Sequence, residues 1–324
     1  MKTMNWFEWI QFSKSNRIFL LADDFFQNDP LLKEIKVDQS IFISAKTAKS
    51  LSTVEYVWNQ LLENQFTKHD FLVGVGGGSI TDLTTFIAGT YKRGIPHILV
   101  PTTLLAATDA AIGGKGGIDF GNFKNAVGVI KSPEFLVIYP HFFEQLGIEE
   151  TTFGWAEVAK HALIGSFDLY QELSANKFQN VEFLVSKSVE FKNSVVSEDL
   201  YEQGRRKILN FGHTLGHALE SYQLESNSPY SHGKCVVLGM LKELEIMHKI
   251  GSISHYQKDD ITQWLHHLFP LENLPNTPWL EVLPYVKNDK KNEGNLIGFV
   301  EFCGVGKVEP EMKLSLQTVK ELLS

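Results

Sequence analysis

Cysteine is scarce in this sequence, and the scarcity limits the chemistry open to the chain. The 324 residues include two cysteines, Cys235 and Cys303. Two cysteines are too few for a disulfide framework or for a cysteine-based metal site. Such usage fits a reducing compartment best, so we expect the protein to be cytoplasmic.

Long apolar runs and a net positive charge are missing as well. No run of about 18 apolar residues occurs, so no membrane span is predicted. Residues 1–17 lack a charged segment followed by an apolar one, so no secretory signal is predicted. The formal net charge of −8 argues against nucleic-acid binding, although local lysines and arginines can still hold small anions.

The remaining composition is that of a soluble globular protein with more residues than one core of typical size needs. In the first half, short apolar runs alternate with stretches of helical spacing, which predicts a parallel sheet. The predicted strands are Ile18–Ala22, Ile41–Ser44, Phe71–Val75, Ile98–Pro101 and Phe135–Tyr139. The spacing in the second half predicts helices at Glu150–Phe167, Phe178–Ser197, Arg205–Tyr222 and Gly233–Ile250, then a small hairpin at Leu296–Phe302 and Lys307–Glu309.

We therefore predict an α/β fold with two domains. Residues 1–147 form a doubly wound nucleotide-binding domain, and residues 148–324 form a mostly helical domain that binds metal and substrate.

Two histidines four residues apart, His213 and His217, mark the candidate metal centre. This spacing places both imidazoles on one helix face, and Glu157 and His232 supply further ligand atoms. Imidazole and carboxylate together suit zinc with an open position for substrate. Thr214 stands where the general-base glutamate of a zinc protease belongs, so peptide hydrolysis of that type is not expected.

A second motif runs from the strand at Phe71 through three glycines, Gly76 to Gly78, into a predicted helix. Glycines leave room for a ligand close to the backbone and permit positive φ, and a helix N-terminus attracts phosphate. The motif is neither a G-x-G-x-x-G fingerprint nor a P-loop, so it predicts pyrophosphate binding without naming a cofactor. Further on, Gly113 and Gly114 precede Lys115, which predicts a bent backbone with an ammonium facing an anion.

In order and spacing, the motifs of this chain resemble those of the 3-dehydroquinate synthase family. The resemblance covers the chain from about residue 40 to the end. Its first-half motifs are Gly-Gly-Gly-x-x-x-Asp at 76–82, Thr-Tyr-Lys-Arg-Gly at 90–94, Pro-Thr-Thr-Leu-Leu at 101–105, Gly-Gly-Lys at 113–115 and Lys-Asn at 124–125. Its second-half motifs are Ala-Glu-Val-Ala-Lys at 156–160, Leu-Asn-Phe-Gly-His-Thr-Leu-Gly-His-Ala at 209–218, His-Gly at 232–233 and Asp-Lys-Lys at 289–291.

The resemblance implies a role for each matching residue. Glu157, His213 and His232 would hold zinc, with cobalt as the alternative, and His217 would contact substrate and handle protons. The substrate's hydroxyls, carboxylate and phosphate would be held by Lys115, Asn125, Lys160, Lys192, Arg206, Asn210 and Lys290. Arg93 would reach a phosphate, including that of a neighbouring subunit in a homodimer. The NAD site would be lined by Gly76, Gly77, Gly78, Asp82, Thr102, Thr103, Asp109 and Lys124.

The implied reaction is the conversion of 3-deoxy-D-arabino-heptulosonate 7-phosphate to 3-dehydroquinate and phosphate, a step of the shikimate pathway in aromatic amino acid biosynthesis. In this family NAD⁺ removes a hydride at C5, phosphate is eliminated, the hydride returns, and an aldol reaction closes the carbocycle. The chain would therefore be a lyase.

Some positions depart from the family pattern. Residues 45–49, Ala-Lys-Thr-Ala-Lys, replace a Gly-Glu-x-x-Lys segment, which puts an acidic contact to NAD in doubt. The alternatives are a related cyclase acting on sedoheptulose 7-phosphate, a metal-dependent polyol dehydrogenase, and a catalytically silent relative. Retention of Lys115, Lys124 and Asn125 favours the heptulosonate, and the four groups Glu157, His213, His217 and His232 argue against a silent protein.

Overall fold

The chain folds into two compact units, residues Met1–Leu146 and Gly147–Ser324, in a computed structural model. The structure describes residues 1–121, 123–224, 226, 229–271, 276–286 and 295–324. The division falls one residue before the predicted domain boundary. Within the described part of the chain, no helix is both long and apolar enough to span a membrane.

The first unit is built on a six-stranded sheet in which every strand pair is parallel. The strands described in this unit are β1 (Lys2–Met4), β2 (Ile18–Asp23), β3 (Gln39–Ile43), β4 (Phe71–Gly76), β5 (His97–Pro101), β6 (Lys115–Phe120), β7 (Phe123–Ile130) and β8 (Phe135–Val137). Of these, β6 and β7 lie outside the six-stranded sheet. The order across the sheet is β1-β8-β5-β4-β2-β3. This confirms the predicted α/β class and all five predicted strands, whereas β1 was not predicted.

The strand order reverses between β2 and β4. From β2 the chain goes outward to β3, and then returns to the other side of β2 to form β4. Ligands of open α/β sheets bind beyond the carboxyl ends of the strands at such a reversal. In this protein β4 ends there at Gly76, the first residue of the glycine triplet.

Among its described residues the first unit has three α-helices: α1 (Trp6–Ser15), α2 (Leu51–Glu63) and α3 (Gly78–Thr90). In α2, Val54, Val57 and Leu61 are fully buried in the core at helical spacing, and Ser50 caps the helix by accepting from the Thr53 amide. The strands β6 and β7 pair antiparallel. The sequence predicted a bent backbone before Lys115 but neither of these strands, and the glycines at 113, 114, 116 and 117 weaken a strand pattern.

The second unit is mostly helical, as predicted. Its helices are α4 (Ile148–Gly154), α5 (Ala156–Ile164), α6 (Phe167–Asn176), α7 (Val181–Glu198), α8 (His213–Gln223), α9 (His232–Lys249), α10 (His255–Leu268), α11 (Trp279–Val286) and α12 (Leu316–Leu323). An antiparallel hairpin of β9 (Leu296–Gly304) and β10 (Lys307–Ser315) confirms the predicted one and is longer.

Two of the predicted helices are interrupted in the structure. The stretch Glu150–Phe167 divides at Trp155 into α4 and α5. The stretch Arg205–Tyr222 begins as a 3₁₀ helix, Arg205–Asn210, and breaks at Gly212, which has φ +75°. Apolar spacing continues through both breaks, so periodicity alone does not reveal them.

Candidate functional site

The buried end of the candidate metal centre is Glu157 on α5. Its side chain is fully buried, and its Oε2 accepts a hydrogen bond from Nζ of Lys160, which is buried one turn further along the helix. Burial acts to raise the pKa of Glu157, but the Lys160 ammonium and His213 outweigh burial and hold this pKa well below its usual range. Glu157 is therefore an anion at neutral pH.

Three imidazoles lie around this carboxylate. His213 is the first residue of α8, His217 lies one turn later, and His232 is the first residue of α9. One ring nitrogen from each of the three lies within 4.8 Å of the others. Nε2 of His213 is 3.3 Å from Oε1 of Glu157, and Nε2 of His232 is 3.6 Å from the same oxygen. The structure thus brings together all four residues predicted at the centre.

Hydrogen bonds on the far side of two rings set their orientation. Nδ1 of His213 donates to the Phe211 carbonyl at 3.1 Å, and Nδ1 of His232 lies 3.0 Å from Oε2 of Glu220. A proton on Nδ1 leaves Nε2 with its lone pair, so both rings direct a potential ligand atom toward Glu157. Histidine ligands of metals are commonly held by a carbonyl or carboxylate in this way.

This cluster fits a divalent metal. Among the residues that the structure describes, none donates a hydrogen bond of normal geometry to Oε1 of Glu157, although this oxygen is buried. Oε1 and the Nε2 lone pairs of His213 and His232 converge, and such a group of acceptors requires a cation or a proton between them. Two imidazoles and one carboxylate are a known zinc ligand set with a fourth position open.

Protons compete with a metal for these ligands. Burial lowers the pKa of His213, and the Lys160 charge lowers it further. Burial also acts to lower the pKa of His232, but the carboxylates of Glu157 and Glu220 raise it to about 10. Metal binding therefore displaces a proton from His232 at neutral pH, because a coordinating imidazole is neutral.

The glycine triplet of the first unit leads from β4 into α3. Gly77 is the N-cap of α3, and no side chain caps this helix, so its first amides are available to an anion. The triplet does not use the positive φ that glycine permits. Space favours glycine at the first two positions, because a Cβ on Gly76 would lie 2.7 Å from Ile80, and one on Gly77 would lie 3.3 Å from Thr103.

Other residues predicted at the cofactor site lie near this loop. The Thr102 amide donates to the Gly76 carbonyl at 3.0 Å, and Thr102 and Thr103 directly follow β5. Asp109 lies in a π-helical turn, Ala106–Ala110, whose Ala110 would be 3.5 Å from a Cβ on Gly78. The loop after β5 therefore packs directly against the glycine triplet.

Lys49 is a residue of this region to which sequence reasoning gave no role. Its ammonium hydrogen-bonds to Oδ2 of Asp82 and to Oδ1 of Asn125, two residues with predicted roles. Burial raises the pKa of Asp82, and the Lys49 charge opposes that effect. The signal was present in the sequence, since Lys49 occupies the lysine position of the altered segment at residues 45–49.

The first unit also carries Arg93, Lys115 and Lys124. Arg93 has φ +65° in the turn Tyr91–Arg93, an unusual conformation for a residue with a Cβ. Lys115 begins β6 and Lys124 lies on β7, so the hairpin presents both. The predicted bend before Lys115 is present, with Gly113 at φ +110° and Gly114 at φ +65°.

The remaining predicted substrate contacts of the second unit lie on elements around α5. Lys192 is buried on α7, which packs against α5. Arg206 is buried in the 3₁₀ helix Arg205–Asn210 and donates from Nη1 to the Leu200 carbonyl at 2.6 Å. Asn210 donates from Nδ2 to Glu202 at 2.6 Å. Lys290 lies outside the described residues.

Two carboxylates that hold the histidine-bearing helices were not predicted. Glu220 orients His232, and Glu243 accepts hydrogen bonds from backbone amides at the start of α8. Glu220 lies three residues after His217, so it was within reach of a sequence argument. Glu243 was not, because only the packing of α9 against α8 brings it there.

These features define a class of α/β proteins that combine a nucleotide-type parallel sheet with a helical cluster of metal ligands. Comparison with known proteins narrows the class. The chain matches the 3-dehydroquinate synthase N-terminal family model over residues 39–152 and the C-terminal model over residues 154–292. It is 33% identical over 321 residues to 3-dehydroquinate synthase of Parabacteroides distasonis, covering 96% of this chain and 91% of the relative. The chain belongs to the 3-dehydroquinate synthase family.

Solved structures agree with the fold. A 2-deoxy-scyllo-inosose synthase complexed with carbaglucose-6-phosphate, NAD⁺ and Co²⁺ has a TM-score of 0.82 at 23% identity, covering 95% of this chain and 90% of that one. A 2-epi-5-epi-valiolone synthase from Streptomyces hygroscopicus with NAD⁺ and Zn²⁺ bound has a TM-score of 0.78 at 21% identity, with 95% and 89% covered. At this identity the likeness concerns the fold alone.

Proposed function

We propose that this protein is a 3-dehydroquinate synthase, a lyase that converts 3-deoxy-D-arabino-heptulosonate 7-phosphate to 3-dehydroquinate and phosphate. The observation that carries the proposal is the convergence of Glu157, His213 and His232, in a chain 33% identical to a protein of that name over nearly its whole length. The reaction is redox-neutral overall, so NAD⁺ is regenerated in each cycle.

We assign zinc, with cobalt as the alternative, to Glu157, His213 and His232. When bound, such an ion acts as a Lewis acid that polarises substrate oxygens. The protein's own part is to present one anionic and two neutral donors, held by Lys160, Glu220 and the Phe211 carbonyl. Metal ions in two proteins of similar fold support this assignment.

His217 is the proposed proton-handling residue and not a ligand. Its ring centroid lies 5.0 Å from that of His213 and 5.7 Å from that of His232, so it borders the centre. Unlike those two rings, it is not needed to complete a set of three donors. An imidazole can both accept and donate a proton, which suits this ring to take up and return a substrate proton.

We assign NAD to the carboxyl edge of the parallel sheet. Its lining residues are Gly76, Gly77, Gly78, Asp82, Thr102, Thr103, Asp109 and Lys124. The free amides of α3 and the lack of Cβ atoms at the triplet favour a pyrophosphate held close to the backbone. When bound, NAD⁺ accepts and returns one hydride.

The substrate's anionic groups are assigned to lysines, arginines and asparagines of the chain. Positive charge comes from Lys115, Lys160, Lys192, Arg206, Arg93 and Lys290. Amide hydrogen bonds come from Asn125 and Asn210. Arginine forms paired hydrogen bonds with carboxylate and phosphate oxygens, and lysine offers a compact charge. A dianionic leaving group and a carboxylate on one substrate explain why a single reaction would use so many cations.

The test is a turnover assay of purified protein with the heptulosonate phosphate, NAD⁺ and zinc, monitoring phosphate, dehydroquinate and NADH together. Equal amounts of phosphate and dehydroquinate without net NADH are expected. Cyclisation of sedoheptulose 7-phosphate in place of the heptulosonate would make the protein a different cyclase. Net NADH from a polyol would make it a dehydrogenase.

The proposal includes a homodimer in the cytoplasm. A dimer gives a role to Arg93, which would reach the phosphate bound by a neighbouring subunit. Light scattering after size-exclusion chromatography tests the assembly, and a monomeric mass during turnover would remove that role. Turnover assays with and without a thiol reductant test whether the protein needs a reducing compartment. Equal turnover in both would give the cytoplasmic location no functional support.

A further inference from the structure

We propose that Glu243 is a positioning residue that fixes His213 and His217 relative to His232. Glu243 lies in the middle of α9, whose first residue is His232, and it reaches the start of α8, which carries the other two histidines. For its effect on turnover the inference rests on the proposed function. For its effect on metal binding it rests on the geometry of α8 and α9.

The Glu243 carboxylate bridges two backbone amides at the start of α8. Its Oε2 accepts from the Gly212 amide at 2.8 Å, and its Oε1 accepts from the Leu215 amide at 3.2 Å. These two amides lie on either side of His213 in the chain. The carboxylate therefore holds the backbone turn from which the His213 side chain projects.

The start of α8 depends on a partner from another helix. Its N-cap is Gly212, which has no side chain with which to cap the helix. No larger residue fits there without strain, because φ is +75° and a Cβ would lie 2.4 Å from Met240 and 3.0 Å from the Val236 carbonyl. Of the two amides that Glu243 binds, the Leu215 amide at N3 is one that an N-cap serine or aspartate normally binds, and the Gly212 amide is the one that a capping-box glutamate binds.

Close packing of α8 against α9 makes this contact possible. Gly212 lies beside Met240 and Gly216 beside Cys235, so the two helices run in opposite directions. A Cβ on Gly239 would lie 2.1 Å from the Gly212 carbonyl oxygen and 2.8 Å from the Gly216 amide nitrogen. At this separation, the Glu243 side chain spans the gap between the two helices.

The burial of this charge calls for an explanation. Glu243 is fully buried, and burying a carboxylate costs free energy unless strong hydrogen bonds compensate. The N-terminus of a helix supplies both free amides and a partial positive charge. An uncharged side chain of the same size would suffice to fill the space. A carboxylate also makes two charge-assisted hydrogen bonds that set the direction of α8.

The experiment compares Glu243→Gln with the matched control Glu245→Gln. Glu245 lies on the same helix, is half exposed and pairs with Lys242 at the surface. Metal-free forms of both variants and of the parent protein are titrated with Co²⁺, and the visible spectrum reports affinity and ligand geometry. We expect Glu243→Gln to bind Co²⁺ at least about tenfold more weakly with an altered spectrum, as for other groups that orient metal ligands. The control should match the parent protein.

The result that overturns the inference is a folded Glu243→Gln protein with parental Co²⁺ affinity and spectrum. A loss of thermal stability without those changes also overturns it, since it would show a purely structural cap. If Glu243→Gln does not fold, Glu243→Asp keeps the charge but shortens the reach, and the same two outcomes apply to it. The proposed function alone would be overturned if the variant shows the expected Co²⁺ difference from the parent protein but the parent protein makes no dehydroquinate.

Discussion

At the scale of single residues, Glu157 has the most constrained environment. One carboxylate oxygen is bound by Lys160, and the other faces Nε2 of His213 and of His232. This division of the two oxygens distinguishes a metal ligand from an ordinary buried ion pair, in which both oxygens are satisfied by hydrogen-bond donors. It also separates the expected effects of changing Glu157 and Lys160.

Removing a ligand should remove the metal. We expect Glu157→Gln and His213→Ala each to weaken zinc affinity by more than about 100-fold, beyond the usual effect of groups that only orient ligands. Metal content after dialysis, measured by elemental analysis, checks the expectation, with circular dichroism to verify folding. Stoichiometric zinc in either folded variant would contradict the assignment of the centre.

Removing Lys160 should separate catalysis from metal binding. In Lys160→Met the Glu157 carboxylate is retained, and a bound zinc ion would still compensate its charge. The variant should therefore bind zinc when the zinc concentration is saturating. The turnover number should fall by at least about 100-fold, because a proposed substrate contact that supplies positive charge is lost. Steady-state assays with parallel zinc analysis test this. Full turnover would show that Lys160 serves only to orient Glu157.

At the scale of elements, the pairing of α8 with α9 determines where three of the four groups at the centre lie. Three glycines, Gly212, Gly216 and Gly239, lie in the contact surface, where an added Cβ would approach α8 or α9 to 2.4, 3.0 and 2.1 Å respectively. The closeness of two helix backbones thus sets the spacing of the imidazoles.

A methyl group at this surface should therefore be harmful. In Gly239→Ala we expect the free energy of unfolding to fall by about 1–3 kcal/mol, although alanine is the better helix former. Zinc affinity should fall as well, because α8 must shift. Gly298→Ala is the control, since its Cβ would lie 3.6 Å from Glu311. Denaturant unfolding of both variants measures the difference, and equal stability would contradict the packing argument.

Strand β5 carries a pH-sensitive element in His97, which is fully buried with Nε2 3.3 Å from Oγ1 of Thr85. Burial and the Lys131 charge lower its pKa from 6.5 to about 3. Between pH 6.5 and about pH 3 the imidazole is protonated in the unfolded chain but not in the folded chain. The stability of the fold with a neutral His97 is therefore complete above about pH 6.5, and it is lost progressively as the pH falls toward 3.

We therefore expect the parent protein to lose stability on acidification more steeply than His97→Gln, by up to about 1.4 kcal/mol per pH unit. Urea unfolding between pH 7 and pH 4 gives both slopes. His69→Gln, which removes an exposed histidine, serves as the control and should keep the parental slope. Parallel slopes for the parent and His97→Gln would show that His97 is protonated in the folded state.

At the scale of the whole molecule, the two units carry different proposed ligand sites. The proposed metal ligands, Glu157, His213 and His232, all belong to residues 147–324, whereas the glycine triplet belongs to residues 1–146. Each ligand should therefore stabilise mainly the unit that holds it.

Hydrogen exchange followed by mass spectrometry tests this division. Zinc at 100 times its dissociation constant should add about 2.7 kcal/mol of protection, concentrated in α5, α8 and α9. NAD⁺ should instead protect β4, the start of α3 and the loop after β5. In His213→Ala the zinc effect should vanish while the NAD⁺ effect remains. Zinc protection confined to the first unit would place the metal elsewhere.

Much of this protein could be read from its sequence. Short apolar runs in the first half, such as Phe71–Val75, predict buried parallel strands, because they leave no polar face for solvent. Likewise, the helical spacing of His213 and His217 determines that the two rings share a face. Motif order was enough to indicate the family.

Other features were decided only by the tertiary structure. The break at Gly212, which packs against α9, and the contacts of Lys49 and Glu243 depend on residues distant in sequence. Local pattern determines what a segment can form, because periodicity and backbone preference act over a few residues. Which buried carboxylate meets which amide depends on how the helices pack, and that packing is a property of the whole folded unit.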